Sequence, residues 1–279
     1  MDVRLHRSVD EFRAIAEPLY RRDSVLHTIE LTLLRGGEFG KDSLLLTVWD
    51  DGAPIGAALQ TPPYPLVCTG IPADGIETVV RRLGVTHPKL DGVRGVREKA
   101  VAFADVWRSV AGRAGDITVE ERLYRLSTLR APSGVTGSHR LGTDDDREVL
   151  IDWVELFFGE TFGHPRNTAE GATFVDTAMD RHDRFILWAV DEVPVSMAML
   201  RAPAAGVSRI GPVFTPVTER SHGYASAVTA AAAAEAHRSG TTDVVLFADR
   251  ANPVANRIYS QIGFDAVADS VRIDFGTVD

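Results

Sequence analysis

The sequence predicts a mixed α/β fold made of two similar halves. Helix-like and strand-like segments alternate along all 279 residues, a comfortable length for two domains. A β-hairpin pattern occurs twice, at residues 44–60 and again 140 residues later at 184–200. The elements around the two hairpins follow the same order. We therefore infer an ancient duplication.

The first half opens with a capping box, Ser8-x-x-Glu11, which starts an amphipathic helix running to about residue 22. The other elements expected in this half are helices at 25–34, 73–83 and 96–110 and strands at 44–49, 55–60, 66–71 and 122–129. Prolines interrupt the chain after the hairpin. Residues 130–139, which contain Pro132, Gly134 and Gly137, are the expected linker.

The second half repeats this order with helices at 144–158 and 168–180 before its hairpin. The hairpins align when one is shifted by 140 residues, so that Asp51 falls on Asp191 and Pro54 on Pro194. A strand at 209–214, an alanine-rich helix from Tyr224 to Gly240, a strand at 243–249, a helix at 253–262 and a strand from Phe264 follow.

The composition is that of a soluble globular protein without a secretion signal or a bilayer-spanning stretch, so we expect a cytoplasmic protein with no membrane partner. The single cysteine, Cys68, excludes an internal disulfide. Residues 140–279 hold 12 basic and 21 acidic side chains and so carry the whole formal charge of −9. An acidic half argues against nucleic acid and mildly favours a cationic acceptor, although acidic surfaces often serve solubility.

A candidate anion site lies between the strand at 209–214 and the alanine-rich helix. Ser221, His222, Gly223 and Tyr224 fall where a helix leaves its first N–H groups unpaired, with the positive end of the helix dipole behind them. Gly223 allows close approach of a ligand to the backbone, and Arg220 adds a positive charge.

Two spaced motifs resemble those of the GNAT superfamily of acyl-CoA-dependent N-acyltransferases. The pyrophosphate loop Arg/Gln-x-x-Gly-x-Gly/Ala matches Arg220, Gly223 and Ala225. A second signature, Asn-x-x-Ala-x-x-x-Tyr-x-x-x-Gly-Phe, follows one helix and one strand later. It is matched by Asn252, Ala255, Tyr259, Gly263 and Phe264.

This resemblance implies two GNAT-like domains, each a twisted, mostly antiparallel sheet flanked by helices. Residues 139–279 would be the acetyltransferase domain. Residues 1–138 lack an arginine and spaced glycine at the corresponding helix start, so we interpret them as a degenerate copy without the cofactor loop.

The resemblance also implies the cofactor contacts. A β-bulge would separate the strand ending at Phe214 from the next strand, and the pantetheine of acetyl-CoA would pair with the backbone of Val213, Phe214 and Thr215. A backbone N–H near Val213 would polarise the thioester carbonyl. Asn252 would hold the pantetheine amides, and Asn256, one helical turn later, would assist.

Tyr259 lies two turns after Asn252 on the same helix face, and the predicted role is general acid toward the departing thiolate. A phenol and a thiol differ by about 1.5 pKa units, so this transfer needs little tuning. Glu160 is the candidate general base for the amine, with an exposed helix-end carboxylate as the alternative. No Cys/His spacing indicates a metal site.

Two functions remain open from the sequence. The first is an N-acetyltransferase that moves an acetyl group from acetyl-CoA to the primary amine of a small molecule by direct attack in a ternary complex. The second is a non-catalytic acyl-CoA-binding sensor, which would not need Tyr259. The sequence does not specify the acceptor, and a monomer or a homodimer is compatible with it.

Overall fold

The computed structural model describes residues 1–37 and 39–276, which form two compact units. Unit 1 comprises Met1–Leu123, Ala248–Asn252 and the residues from Val267 onward. Unit 2 comprises Tyr124–Phe247 and Pro253–Ala266. Each unit therefore takes segments from both halves of the chain, whereas the sequence analysis expects a single division after residue 138.

Within the described residues the fold is mixed α/β, with twelve strands and eight α-helices. The strands are β1 (Asp2–His6), β2 (Leu44–Asp50), β3 (Ala53–Gln60), β4 (Leu66–Val67), β5 (Gly92–Val96), β6 (Gly115–Leu126), β7 (Ser138–Leu141), β8 (Arg184–Val190), β9 (Val193–Leu200), β10 (Val207–Phe214), β11 (Asp243–Asp249) and β12 (Phe264–Phe275). The helices are α1 (Val9–Tyr20), α2 (Thr28–Gly36), α3 (Ile76–Thr86), α4 (Arg97–Ala111), α5 (Arg147–Phe162), α6 (Thr168–Asp180), α7 (Tyr224–Arg238) and α8 (Pro253–Ile262).

All the predicted helices are present, and Ser8 caps α1 by accepting a hydrogen bond from the Glu11 N–H at 3.2 Å, which is one of the two bonds of the predicted capping box. Three strands were not expected from the sequence: β1, β5 and β7. The β5 strand contains Gly92 and Gly95, which have low strand propensity. A side chain at Gly95 would lie 2.9 Å from both Cys68 Sγ and Thr69 Oγ1, so close packing requires glycine there.

The sheet of unit 1 has the strand order β1-β2-β3-β4-β5-β12-β6, in which most neighbours are antiparallel. Its last-but-one strand, β12, comes from the C-terminal part of the chain and pairs with β5 from Ser270–Val96 to Asp274–Gly92. Trp107, Phe103 and Phe275 stack within the apolar core between this sheet and its helices.

In unit 2 the strand order is β11-β10-β9-β8-β7, with the end of β6, from Tyr124, next to β11. Helices α5 and α6 contribute Leu150, Trp153 and Val175 to a core that includes Phe185 and Phe214 from the sheet. The alanine-rich α7 packs on β8, β9 and β10 with most of its residues buried. Its short side chains suit a helix that is covered on several sides.

The two hairpins share an irregularity that supports the duplication. The register of the first hairpin shifts between Val48 and Trp49, and that of the second shifts between Trp188 and Ala189, 140 residues later in each case. Each turn also has an aspartate with positive φ, 46° at Asp51 and 47° at Asp191. Matching bulges at matching positions are features that related strands retain.

In the part of the chain that the structure describes, no helix has the length and apolar character needed to cross a bilayer. The same residues contain no group of three or more His, Cys, Asp or Glu side chains arranged to hold a metal ion.

Candidate active site

The strands β10 and β11 are paired at one end only. Their parallel pairing runs from Val207–Asp243 to Ile210–Leu246 and stops there. On its other side β10 pairs with β9, and its register shifts between Ile210 and Val213. The β-bulge expected in this strand is thus present, and the backbone from residue 211 to 214 has no pairing with β11.

The end of β10 is held by a serine that sequence reasoning did not identify. Ser196 on β9 is fully buried, and its hydroxyl donates to the Phe214 carbonyl at 3.0 Å. The same hydroxyl lies 2.8 Å from Thr215 Oγ1. Val213 and Phe214 pair with Ala198 and Met197 on this side. Pairing with β9 therefore fixes the end of β10 from one side. The β10 backbone groups on the other side, which faces away from β9, are held in place by this pairing.

The turn before α7 has the conformation that an anion-binding loop requires. Ser221 and Gly223 have φ values of 69° and 83°, and Gly223 is the N-cap of α7. A side chain at Gly223 would lie 3.2 Å from Val135 Cγ2 as well as being strained. Glycine is thus required by backbone conformation and by packing.

The side chains of this turn differ in exposure. His222 is exposed, and its ring stacks on Tyr224 with centroids 5.3 Å apart. Tyr224 itself is buried and begins the helix, and Ala225 is the second residue of its first turn. These residues therefore present backbone N–H groups at the positive end of a 15-residue helix.

Arg220 and Glu160, predicted to act on different substrates, are bonded to each other. Arg220 Nη2 donates to Glu160 Oε2 at 2.5 Å, and Arg220 Nε donates to the Thr215 carbonyl at 3.0 Å. Both charged side chains are nearly half exposed. The arginine thus links the end of α5 to the end of β10. The Glu160 carboxylate, which is the candidate base, thus neutralises the Arg220 guanidinium, which is the candidate ligand of a phosphate.

Tyr259 lies on α8, near its C-terminal end. Its ring is half-buried and contacts Phe264 with centroids 6.2 Å apart. Burial raises the pKa of Tyr259 to about 12. The phenol is therefore fully protonated at neutral pH. The gap to an ordinary thiol near 8.5 is about 3.5 units, wider than the 1.5 units expected from the sequence.

Gly263 follows the last residue of α8, at a position where only glycine fits. Gly263 has a φ of 109°, and a Cβ on it would lie 1.9 Å from the Thr128 carbonyl oxygen. Its N–H donates to the Tyr259 carbonyl at 3.1 Å. The Gly-Phe pair of the second motif is thus a tight junction between α8 and β12.

The two asparagines of the motif fall in different units. Asn252 belongs to the segment Ala248–Asn252 of unit 1, where its N–H donates to the Asp249 carbonyl at 3.1 Å. Asn256 belongs to unit 2 and accepts a hydrogen bond at Oδ1 from the hydroxyl of Tyr124 at 2.7 Å. Tyr124 is a second residue that sequence reasoning missed, because it lies in a strand assigned to the first half.

In unit 1 the contact between the chain segments of β4 and β5 continues beyond their paired residues. The Cys68 N–H donates to the Arg94 carbonyl at 2.8 Å, and the Val96 N–H donates to Thr69 Oγ1 at 3.3 Å. Lys99 Nζ then donates to the Thr69 carbonyl at 2.7 Å. Backbone and side-chain hydrogen bonds thus hold these two segments together past the end of the strand pairing.

Comparisons with known proteins agree with this geometry. Residues 148–264 match the model of the family described as Acetyltransferase (GNAT) family. No curated protein matches the chain.

Several solved structures have a similar fold along almost the whole chain. One is a GNAT-family acetyltransferase from Colwellia psychrerythraea, with a TM-score of 0.63 and 10% identity, covering 99% of this chain and 100% of that one. A GCN5-related N-acetyltransferase from Sphaerobacter thermophilus has a TM-score of 0.63 and 16% identity, with 98% and 94% covered. A tandem GNAT protein from the clavulanic acid biosynthesis pathway has a TM-score of 0.60 and 11% identity, with 100% and 99% covered.

Proposed function

We propose that the protein transfers an acetyl group from acetyl-CoA to the primary amine of a small molecule, because residues 148–264 match the GNAT acetyltransferase family. GNAT acetyltransferases use acetyl-CoA or another acyl-CoA, so the acyl donor follows from the family. The proposal adds the acceptor class, the direct attack and the residues.

The observation that carries the proposal is the separation of β10 from β11 after Ile210 and Leu246. An extended amide-bearing chain such as pantetheine can add to an unpaired strand by backbone hydrogen bonds. Val213, Phe214 and Thr215 supply that backbone, and their strand is fixed from behind by Ser196.

The diphosphate of the donor would bind at the start of α7. Backbone N–H groups from Ser221 to Ala225 supply donors, and Arg220 supplies a guanidinium that bonds phosphate oxygens well. Arg220 would exchange Glu160 for the diphosphate. This exchange would release the Glu160 carboxylate from its ion pair and leave it able to accept a proton.

The chemical step balances without a covalent enzyme intermediate. The amine nitrogen attacks the thioester carbon, the C–N bond forms, and the C–S bond breaks. Glu160 is proposed to accept the proton that the amine loses, and Tyr259 to donate a proton to the thiolate sulfur. A backbone N–H near Val213 would stabilise the oxyanion. Asn256, which lies in the same unit as β10 and Tyr259, would bind a pantetheine amide.

A non-catalytic acyl-CoA sensor is the second candidate, and one observation favours it. The pKa of about 12 for Tyr259 makes proton donation to a thiolate uphill by about 5 kcal/mol in the free protein. A sensor would need the cleft but no proton transfer.

A turnover assay separates the two. Purified protein is incubated with acetyl-CoA and a panel of small primary amines, and release of free thiol is measured, with calorimetric binding of acetyl-CoA alongside. The enzyme proposal expects binding of one acetyl-CoA per chain, at the cleft beside β10, and amine-dependent thiol release. Binding without release for any amine would favour the sensor, and no binding would refute both.

A further inference from the structure

A tyrosine from the first half of the chain contacts two residues of the proposed site. Tyr124, on the part of β6 that belongs to unit 2, is only 4% exposed. Its hydroxyl donates to Asn256 Oδ1 at 2.7 Å. Its ring lies 6.3 Å from that of Tyr259, measured between centroids, at an interplanar angle of 57°. One side chain therefore contacts both the candidate pantetheine ligand and the candidate acid.

The chain after Tyr124 is fastened to the C-terminal end of α8. The Ser127 N–H donates to the Gly263 carbonyl at 3.0 Å, and the Arg130 N–H donates to the Ile262 carbonyl at 2.7 Å. Gly263 is packed directly against Thr128. These backbone bonds fix β6 relative to α8, so the Tyr124 side chain approaches the helix from a fixed base.

We propose that Tyr124 is a positioning residue for acyl transfer, which orients the Asn256 amide toward the acyl donor and limits the position of the Tyr259 ring. The inference depends on the proposed function, because it assigns a role within the same site. It adds that a strand from the half considered degenerate completes the active domain.

The hydrogen bond determines which end of the amide faces which direction. A phenol that donates to Oδ1 places the amide oxygen toward Tyr124 and directs the NH₂ group away from it. A pantetheine carbonyl needs an N–H donor, so this orientation is the productive one. Removal of the phenol hydroxyl takes away the donor that holds Oδ1 in this direction, so the NH₂ group would be less well oriented toward the acyl donor.

The test is a double-mutant cycle between Tyr124→Phe and Asn256→Ala, read as the dissociation constant of acetyl-CoA. Tyr124→Phe keeps the ring against Tyr259 and removes only the hydroxyl. Tyr64→Phe is the matched control, because Tyr64 is 66% exposed and lies in unit 1. Melting temperature and the pH profile of turnover are measured for every variant.

We expect Tyr124→Phe to weaken acetyl-CoA binding about threefold to tenfold, the range of one hydrogen bond, and to have no further effect once Asn256 is alanine. The KM for acetyl-CoA should rise by the same factor, and the melting temperature should stay as in the wild type. An unchanged dissociation constant, or an equal loss in both backgrounds, would overturn the proposal. The latter result is the one that a purely structural tyrosine predicts.

Asn256→Asp provides a second test that leaves Tyr124 intact. The aspartate retains an oxygen for the phenol but lacks the NH₂ group, so acetyl-CoA binding should weaken as in Asn256→Ala. Binding as in the wild type would overturn the proposal. If instead the wild-type protein binds no acetyl-CoA, the proposed function fails, and this result is distinct from a Tyr124 variant that binds normally.

Discussion

Replacing Glu160 by glutamine should strengthen the binding of acetyl-CoA. In the free protein Glu160 Oε2 accepts a hydrogen bond from Arg220 Nη2 at 2.5 Å. A diphosphate that binds Arg220 must first displace this carboxylate, so the free energy of the ion pair is subtracted from that of binding. Glutamine keeps the shape of the side chain but removes the charge, and therefore lowers this cost.

The expected gain is small because the pair is exposed to solvent. The side chains of Arg220 and Glu160 are 45% and 43% exposed. Pairs of this kind contribute about 0.2–1 kcal/mol, which corresponds to about 1.4-fold to fivefold tighter binding. Arg220→Gln, by contrast, should weaken binding about 10-fold or more, because a hydrogen bond to a charged group contributes about 1.5–3 kcal/mol.

Titration calorimetry with acetyl-CoA at low and high salt measures both effects. Glu170→Gln is the control, because it removes the same charge from an exposed position in the first turn of α6. The gain from Glu160→Gln should disappear in the Arg220→Gln background. Weaker binding by Glu160→Gln in the wild-type background, or the same gain in both, would show that Arg220 does not exchange partners.

Three further outcomes are expected. Tyr259→Phe should lower turnover about 10²-fold or more with little change in acetyl-CoA affinity, and equal turnover would remove Tyr259 from the mechanism. Burial raises the pKa values of Cys68 and Tyr259 from 9.0 and 10.0 to about 12, so the folded protein keeps protons that the unfolded chain loses. The contribution of these two groups to the free energy of unfolding should therefore be constant below about pH 9 and fall toward pH 12. Cys68→Ala should make the measured fall less steep in urea titrations at successive pH values, and an unchanged slope would contradict the assignment. Gly263→Ala should lower the free energy of unfolding by about 2–5 kcal/mol, because of the φ of 109° and the contact with Thr128. Gly240→Ala is the control, with a φ of 79° and no neighbour within 4 Å, and should lower it by about 1–2 kcal/mol. Equal losses in chemical denaturation would show that the contact with Thr128 does not contribute.

Local signals were sufficient for most of the fold. The bounds of α6 and β11 agree with the sequence prediction because each is defined by its own residues. An asparagine cap starts α6, and its side chain accepts from the Glu170 N–H. The run of apolar residues in β11 is bounded by Asp243 and Asp249. The bulge in β10 was expected from the resemblance to a family, and it contains Gly211 and Pro212, two residue types that mark bulges in strands.

Features that depend on distant partners were missed. The first two residues of β7 were assigned to a linker, since three of its four residues are polar and the strand forms by pairing with β8. Ser196 has no distinguishing feature in the sequence, because its role depends on the contact with Thr215, which is 19 residues away. The pairing of Arg220 with Glu160 joins residues 60 positions apart, and no spacing rule brings an arginine and a glutamate of that separation together.

Each unit contains segments from both halves of the chain, and for this reason a division of the sequence into halves did not place Tyr124 in the site. Duplication suggests that each copy folds from its own residues, and on that view β6 belongs to the first copy and β12 to the second. In the structure β12 pairs with β5 in unit 1, and the end of β6 lies beside β11 in unit 2. Such an exchange makes each copy depend on the other for a strand. A fragment that begins at residue 139 would therefore lack Tyr124 together with the backbone donors of Ser127 and Arg130 that fix α8.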